Sequence, residues 1–281
     1  MKQLLYLLLL TIVTITHSAC QKDAEPATNP EVEAYLNTLM SNMERYSINR
    51  KTINWETFRK NILTKAKGAQ SIDDVKAKEA IQLALIQLED SHSFFITSKG
   101  EYVTYKKTLN CTSPTPVIPT PGKEIGYVKV GTFSGSNLSE EANNYARAIQ
   151  EAIKAADNDA IKGWIVDLRD NRGGNMWPML VGIGPILGEG TAGYFIDPDN
   201  LAYDWGYKNG SAGGVQLSNP YVLKKPNPKV AVLIDEATAS SGEAIAIAFK
   251  ARSETSFLVY QPVAYQLLIR ILIYPMVLYF I

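Results

Sequence analysis

The stretch Trp164-Ile165-Val166-Asp167-Leu168-Arg169-Asp170-Asn171-Arg172-Gly173-Gly174-Asn175 decides how this chain is read. A short, unbroken apolar run fits a strand buried on both faces, as in a parallel sheet. The run ends in polar residues and then in two glycines, whose backbone can approach a ligand and present N–H groups to it. A plain turn is the alternative reading of that pair. A second junction of the same design is Val230-Ala231-Val232-Leu233-Ile234-Asp235-Glu236-Ala237-Thr238-Ala239-Ser240-Ser241-Gly242-Glu243-Ala244. There an apolar strand passes through small residues into a helix over 244–250, much as in a nucleophile elbow. The Gly-x-Ser-x-Gly spacing is absent, however, and a serine N-cap would look the same.

Working outward, 125–130 reads as a strand, and 139–156 as a helix with Ala142, Tyr145, Ala146, Ile149 and Ile153 on one face. Strands alternating with helices predict an α/β layer with crossover connections. Upstream, Val32, Leu36, Leu39 and Met43 recur at helical spacing, with Tyr35 and Tyr46 extending the stripe. A second helix starts at Asn54 as N-cap and buries Trp55, Phe58 and Ile62. A third opens with Ser71 and Asp74 in a capping-box pattern and turns Ala77, Ile81, Ala84, Leu85 and Leu88 inward. That helix runs out at His92. Between Cys111 and Lys123 the repeated prolines predict a semi-rigid linker, since each lacks a donor and fixes its own φ.

Residues 1–20 read as a signal peptide: Lys2, then an apolar run from Leu4 to Val13, then small residues ending at Cys20. Thr16-His17-Ser18-Ala19-Cys20 fits a relaxed lipobox with Cys20 as the lipidated residue, and cleavage near Ala19 is the alternative. Residues 21–25 read either as an acidic sorting signal for the cell surface or as a solvated tether.

The 281 residues are 46% hydrophobic, which rules out a disordered chain. Equal counts of 28 basic and 28 acidic side chains leave the molecule as a whole without an electrostatic case for nucleic acid. Two cysteines and two histidines make neither a Cys/His metal cluster nor a disulfide framework. With His17 in the signal peptide, His92 is the imidazole left that can serve as a base near neutral pH; a lone histidine is more often structural, but a helix exit among polar residues is not a core position.

Four segments resemble the tail-specific, or carboxyl-terminal processing, serine peptidases. They are Leu88-Glu89-Asp90-Ser91-His92-Ser93-Phe94-Phe95, the run from Val166 to Pro178, Tyr194-Phe195-Ile196-Asp197-Pro198-Asp199, and Thr238-Ala239-Ser240-Ser241-Gly242-Glu243. The likeness is closer to the branch without a PDZ domain that includes the nisin-resistance peptidase. It implies a crotonase-like α/β peptidase core and serine acylation without metal or organic cofactor. Carried over by position, the nucleophile falls on Ser240 and the base on His92. The oxyanion hole falls on the N–H of Ser241 with that of Gly173 or Gly174. In the Ser-Lys branch the lysine would stand where this chain has Tyr265.

The resemblance stops after Leu258, where Tyr260 and Tyr265 replace the family's glycines and Arg270 is the one charge from Phe257 to Ile281. Residues 260–281 therefore read as an atypical apolar tail, produced by truncation or a shifted frame. A membrane segment or a buried strand pair are the other readings, and the change puts catalysis in doubt. The division that follows is signal peptide 1–20, tether 21–29, helical domain 30–110 with His92, linker 111–124, α/β core 125–259 and tail 260–281. The leading reading is a lipoprotein at the outer membrane or cell surface, or on the periplasmic face, anchored by lipid and hydrolysing polypeptides. Its rivals are a non-catalytic peptide-binding lipoprotein of the same fold and a glycan binder using Tyr194, Tyr203, Trp205 and Tyr207.

Overall fold

The computed structural model describes residues 26–90, 92–105, 117 and 121–260. The signal peptide, Cys20, Cys111, most of the proline-rich linker and residues 261–281 lie outside the described residues. The chain divides into two compact units, with the described residues up to Tyr105 in one and 121–260 in the other.

The first unit holds α1 (Pro30–Tyr46), α2 (Trp55–Lys65), α3 (Val75–Leu88) and the antiparallel pair β1 (Phe94–Ile96) and β2 (Tyr102–Thr104). Side chains cap each helix start: Asn29 accepts from Glu31 N–H, Asn54 from Thr57 N–H and Asp74 from Lys76 N–H. Ser71 thus lies outside α3, and Asp74 alone is its cap, contrary to the predicted capping box. On α1 the buried row is Val32, Leu36 and Met40, four residues apart, whereas Leu39 and Met43 are half-buried. Tyr35 and Tyr46 fall on the flank of that row and are exposed, which corrects the wider stripe. Phe58 and Ile62 of α2 and Ala77, Ile81, Ala84, Leu85 and Leu88 of α3 complete the core as predicted.

In the second unit, β3 (Ile125–Lys129), β4 (Gly163–Asp167), β9 (Lys229–Asp235) and β10 (Thr255–Tyr260) form one parallel sheet in chain order. Between them lie α4 (Glu140–Ala156), α5 (Met176–Leu187) and α6 (Ser241–Lys250), with the small pairs β5 (Gly190–Ile196) with β6 (Ala202–Tyr207) and β7 (Ser211–Ala212) with β8 (Val215–Gln216). A sheet ordered sequentially with right-handed crossovers carries its helices on one face. Accordingly α4 packs against α5 and α5 against α6. Trp164, Val166, Val230 and Val232 are buried, while Tyr127, Ile165 and Ala231, pointing the other way, are half-buried. Ser139 caps α4 through Ala142 N–H, close to the predicted start.

The hairpin β5–β6 resolves the aromatic cluster at 194–207. Tyr194 and Tyr203 are exposed, but Trp205 and Tyr207 are buried, and Trp205 stacks on Phe195 with ring centroids 5.8 Å apart. Two of the four rings assigned to a glycan surface are therefore packing. The predicted core ended at 259, one residue short of β10, which includes Tyr260.

Candidate active site

Asp167 stands beside Leu233 in the register of β4 and β9, so the loops that leave these strands emerge side by side at the carboxyl edge of the sheet. Ligand sites of open α/β sheets form at that edge. The loop after β9 delivers Ser240 at φ 52° and ψ −117°, immediately before α6. Such a backbone is costly for a residue with a side chain, on the order of 1–3 kcal/mol, and clusters at functional positions. Ser240 is an N-cap by position, as the plainer reading of the sequence had it, and is strained as well.

The neighbouring amides are accounted for one by one. The Ser240 N–H donates to the Glu243 carboxylate at 2.6 Å, and the Gly242 N–H to the Ala239 carbonyl at 2.9 Å. Among the described residues the Ser241 N–H, at the first position of α6, meets no protein acceptor.

The glycine loop after β4 lies against this turn. Gly173 has φ +98°, and a Cβ there would come within 2.7 Å of Ser240 Cβ and 3.0 Å of Ser241 N. Gly174 has φ +109°, and its Cβ would lie 2.0 Å from the Phe133 carbonyl oxygen. Both positions therefore require glycine, by positive φ and by the close approach of Ser240 and of the Phe133 backbone. The Gly173 N–H donates to Asn171 Oδ1 at 3.0 Å. The Gly174 N–H meets no acceptor among the described residues, while its carbonyl accepts from the Ser241 hydroxyl. Ser240, Ser241, Gly173 and Gly174 are thus brought together within the α/β unit.

Three braces around them carried no assigned role in the sequence. Asn171 is fully buried; besides holding Gly173 it donates Nδ2–H to the Val130 carbonyl at 3.0 Å, and its own carbonyl accepts the Ala239 N–H at 2.9 Å. Asp235, 5% exposed, accepts through Oδ1 from the N–H groups of Asp170 and Ala237, and Thr238 donates its hydroxyl to the Leu168 carbonyl. Asp167 accepts the backbone N–H and the guanidinium of Arg169 and, at 2.8 Å, the Tyr127 hydroxyl. Burial acts to raise the Asp167 carboxyl, but the Arg169 and Tyr127 hydrogen bonds outweigh it and hold it below its ordinary value. Tyr127 is pushed up to about 12 by burial and then by the carboxylate it donates to. The signal available in the sequence was the set of polar residues directly at the ends of buried strands.

His92 belongs to the helical unit. The α3 helix ends at Glu89 in a left-handed conformation, φ 55°, and Asp90 then accepts the N–H groups of His92 at 3.0 Å and Ser93 at 2.9 Å. This Asx-type turn fixes the backbone of His92, whose side chain is exposed. Among the described residues no group of three His, Cys, Asp or Glu is arranged to hold a metal ion, and no helix is long and apolar enough to cross a membrane.

The chain is 26% identical over 236 residues to the nisin-resistance protein of Lactococcus lactis subsp. lactis, covering 82% of this chain and 69% of that one. Against the chloroplastic carboxyl-terminal-processing peptidase 2 of Arabidopsis thaliana it is 27% identical over 172 residues, which is 61% of this chain and only 29% of the relative. A solved lipoprotein from Streptococcus agalactiae shares the fold, with a TM-score of 0.62 and 21% identity over 82% of this chain and 76% of that one. Residues 124–258, which carry both loops of the site and the parallel sheet up to the middle of β10, match Peptidase family S41.

Proposed function

We propose that this chain is a serine peptidase acting on polypeptides, with Ser240 as nucleophile, His92 as general base and the backbone N–H groups of Ser241 and Gly174 as the oxyanion hole. The observation that carries the reading is the turn at Ser240: a strained serine flanked by two N–H groups that meet no acceptor among the described residues, with the Gly173 backbone against its Cβ. Gly173, the other candidate donor, has its N–H on Asn171, which favours Gly174. In the reaction Ser240 Oγ attacks the scissile carbonyl as His92 takes the hydroxyl proton. The tetrahedral oxyanion accepts from the two N–H groups, each worth about 2.7–4 kcal/mol where such donors have been removed. His92 then protonates the leaving amine, and water, activated by the same imidazole, hydrolyses the acyl ester. No step needs a metal or an organic cofactor.

The apolar run ending at Cys20 supports an exported, lipid-anchored protein of the cell envelope, at the outer membrane or cell surface or on the periplasmic face. The solved lipoprotein of the same fold is in keeping with that location. A fluorophosphonate probe tests the catalytic reading. The chain should be labelled, Ser241→Ala should still be labelled, and Ser240→Ala should not. Labelling that survives in Ser240→Ala would remove Ser240 from the mechanism.

A further inference from the structure

We infer that Asn171 is the positioning residue that sorts the two glycine amides, drawing the Gly173 N–H away from the substrate side and leaving Gly174 N–H as the donor. The inference rests on the peptidase reading of Ser240. Asn171 is fully buried, and each polar group of its side chain has a stated partner. Oδ1 accepts from Gly173 N–H at 3.0 Å, and Nδ2 donates to the carbonyl of Val130, the residue after β3, at 3.0 Å. Its main chain is tied equally well: its N–H donates to the Leu168 carbonyl at 3.0 Å, and its carbonyl accepts from Ala239, next to Ser240, at 2.9 Å.

One side chain therefore joins the end of β3 to the glycine loop, while the backbone of the same residue joins the glycine loop to the nucleophile loop. A carboxamide is the group this position calls for. Its oxygen must accept from Gly173 and its nitrogen must donate to Val130, and both atoms lie where no water can replace either partner. The nucleophile helix closes on the same residue, since a Cβ at position 242 would come 2.5 Å from the Asn171 carbonyl oxygen. Without the Asn171 oxygen the Gly173 N–H has no fixed direction, and the peptide linking Gly173 to Gly174 is free to rotate. The second oxyanion donor then loses its aim although Ser240 itself is untouched.

The test compares two inhibitors on the full chain: a peptide aldehyde, which forms a hemiacetal oxyanion with Ser240, and the matching peptide alcohol, which cannot. A lower folded fraction weakens both inhibitors by the same factor, so their ratio is unchanged by a loss of stability alone. The aldehyde should bind Asn171→Ala about 100-fold more weakly, the cost of one lost oxyanion donor, and the alcohol about as before. Asn171→Asp supplies a rescue: buried as Asn171 is, the carboxyl takes up a proton readily, and in that form it can both accept from Gly173 and donate to Val130. Its aldehyde affinity relative to the unaltered chain should rise as pH is lowered. If Asn171→Ala keeps the difference between aldehyde and alcohol, or Asn171→Asp shows no such recovery, the positioning role is overturned. If the unaltered chain itself binds the aldehyde no better than the alcohol, the peptidase reading falls and the role of Asn171 falls with it.

Discussion

The carboxylate of Glu243 accepts the backbone N–H of Ser240 at 2.6 Å, so the residue three positions into the helix holds the serine in its positive-φ turn. A hydrogen bond to a charged group contributes about 1.5–3 kcal/mol, and here it stabilises a conformation that serine rarely adopts. Glu243→Ala should slow fluorophosphonate labelling of Ser240 by about 10- to 100-fold, the same energy expressed as a rate. Glu243→Gln keeps an oxygen at the acceptor position and should label at close to the unaltered rate. Equal labelling by all three proteins would show that the turn is set elsewhere.

His92→Ala should leave the fold intact, because its side chain is exposed and Asp90 binds the backbone N–H at 92. Peptide hydrolysis should fall by about 100- to 10,000-fold, the usual contribution of a general base. Turnover unchanged in a variant with an unaltered circular dichroism spectrum would redirect attention to a lysine such as Lys250.

Alanine at either glycine should act on stability and on the site together. At 174 the new methyl meets a backbone carbonyl, Phe133 O, that cannot swing aside; at 173 it meets Ser240 Cβ. Each should lower the stability measured in urea by about 1–3 kcal/mol. Whatever fraction of Gly173→Ala remains folded should fail to label, since the clash displaces Ser240 itself.

The Asp167 brace sets an acid limit. Its folded-state pKa lies below that of the unfolded chain, so the stability it provides is present above the unfolded value, about 3.9, and is lost as pH falls through the folded value. Asp167→Asn leaves the buried Arg169 without its carboxylate, a change that typically costs about 3–5 kcal/mol. Urea unfolding at pH 7, 5 and 3 should show the gap between the two proteins large at neutral pH and shrinking once Asp167 is protonated. A gap constant across that range would exclude the ion pair as its cause.

Cys20→Ser should lose incorporation of radiolabelled lipid and move from the membrane fraction to the soluble one, measured with residues 261–281 deleted in both proteins. Retention of the variant in membranes would rule out an anchor at Cys20.

How far the sequence could be read depended on how each element is buried. The strands at 164–168 and 230–234 announced themselves because a buried parallel strand is an apolar run between polar ends, that at 125–130, on the sheet edge, through its alternation, and α4 because its partners cover one face only. The α5 helix gave no periodic signal: Met176, Met179, Leu180, Val181, Ile183 and Ile186 are all buried, so its pattern has no polar face to set the phase. Ser240 and the glycine pair were legible from the likeness of their segments to a known family. Asn171 was not, because its importance lies in contacts with Val130, Gly173 and Ala239 that no local spacing encodes. The rings at 194–207 could not be sorted from composition, since a hairpin turns alternate residues inward and composition alone does not say which.

The loop after β4 and the loop after β9 touch only where strands far apart in the chain have paired; Asp170 and Asp235, which tie them, are 65 residues apart. During synthesis, a chain that has not yet closed that pairing carries Ser240 as an ordinary hydroxyl, with no aimed amides beside it. Under the peptidase reading, proteolytic power arrives with the final tertiary docking rather than with the emergence of the serine. A nascent or misfolded copy would be harmless to itself and to its neighbours.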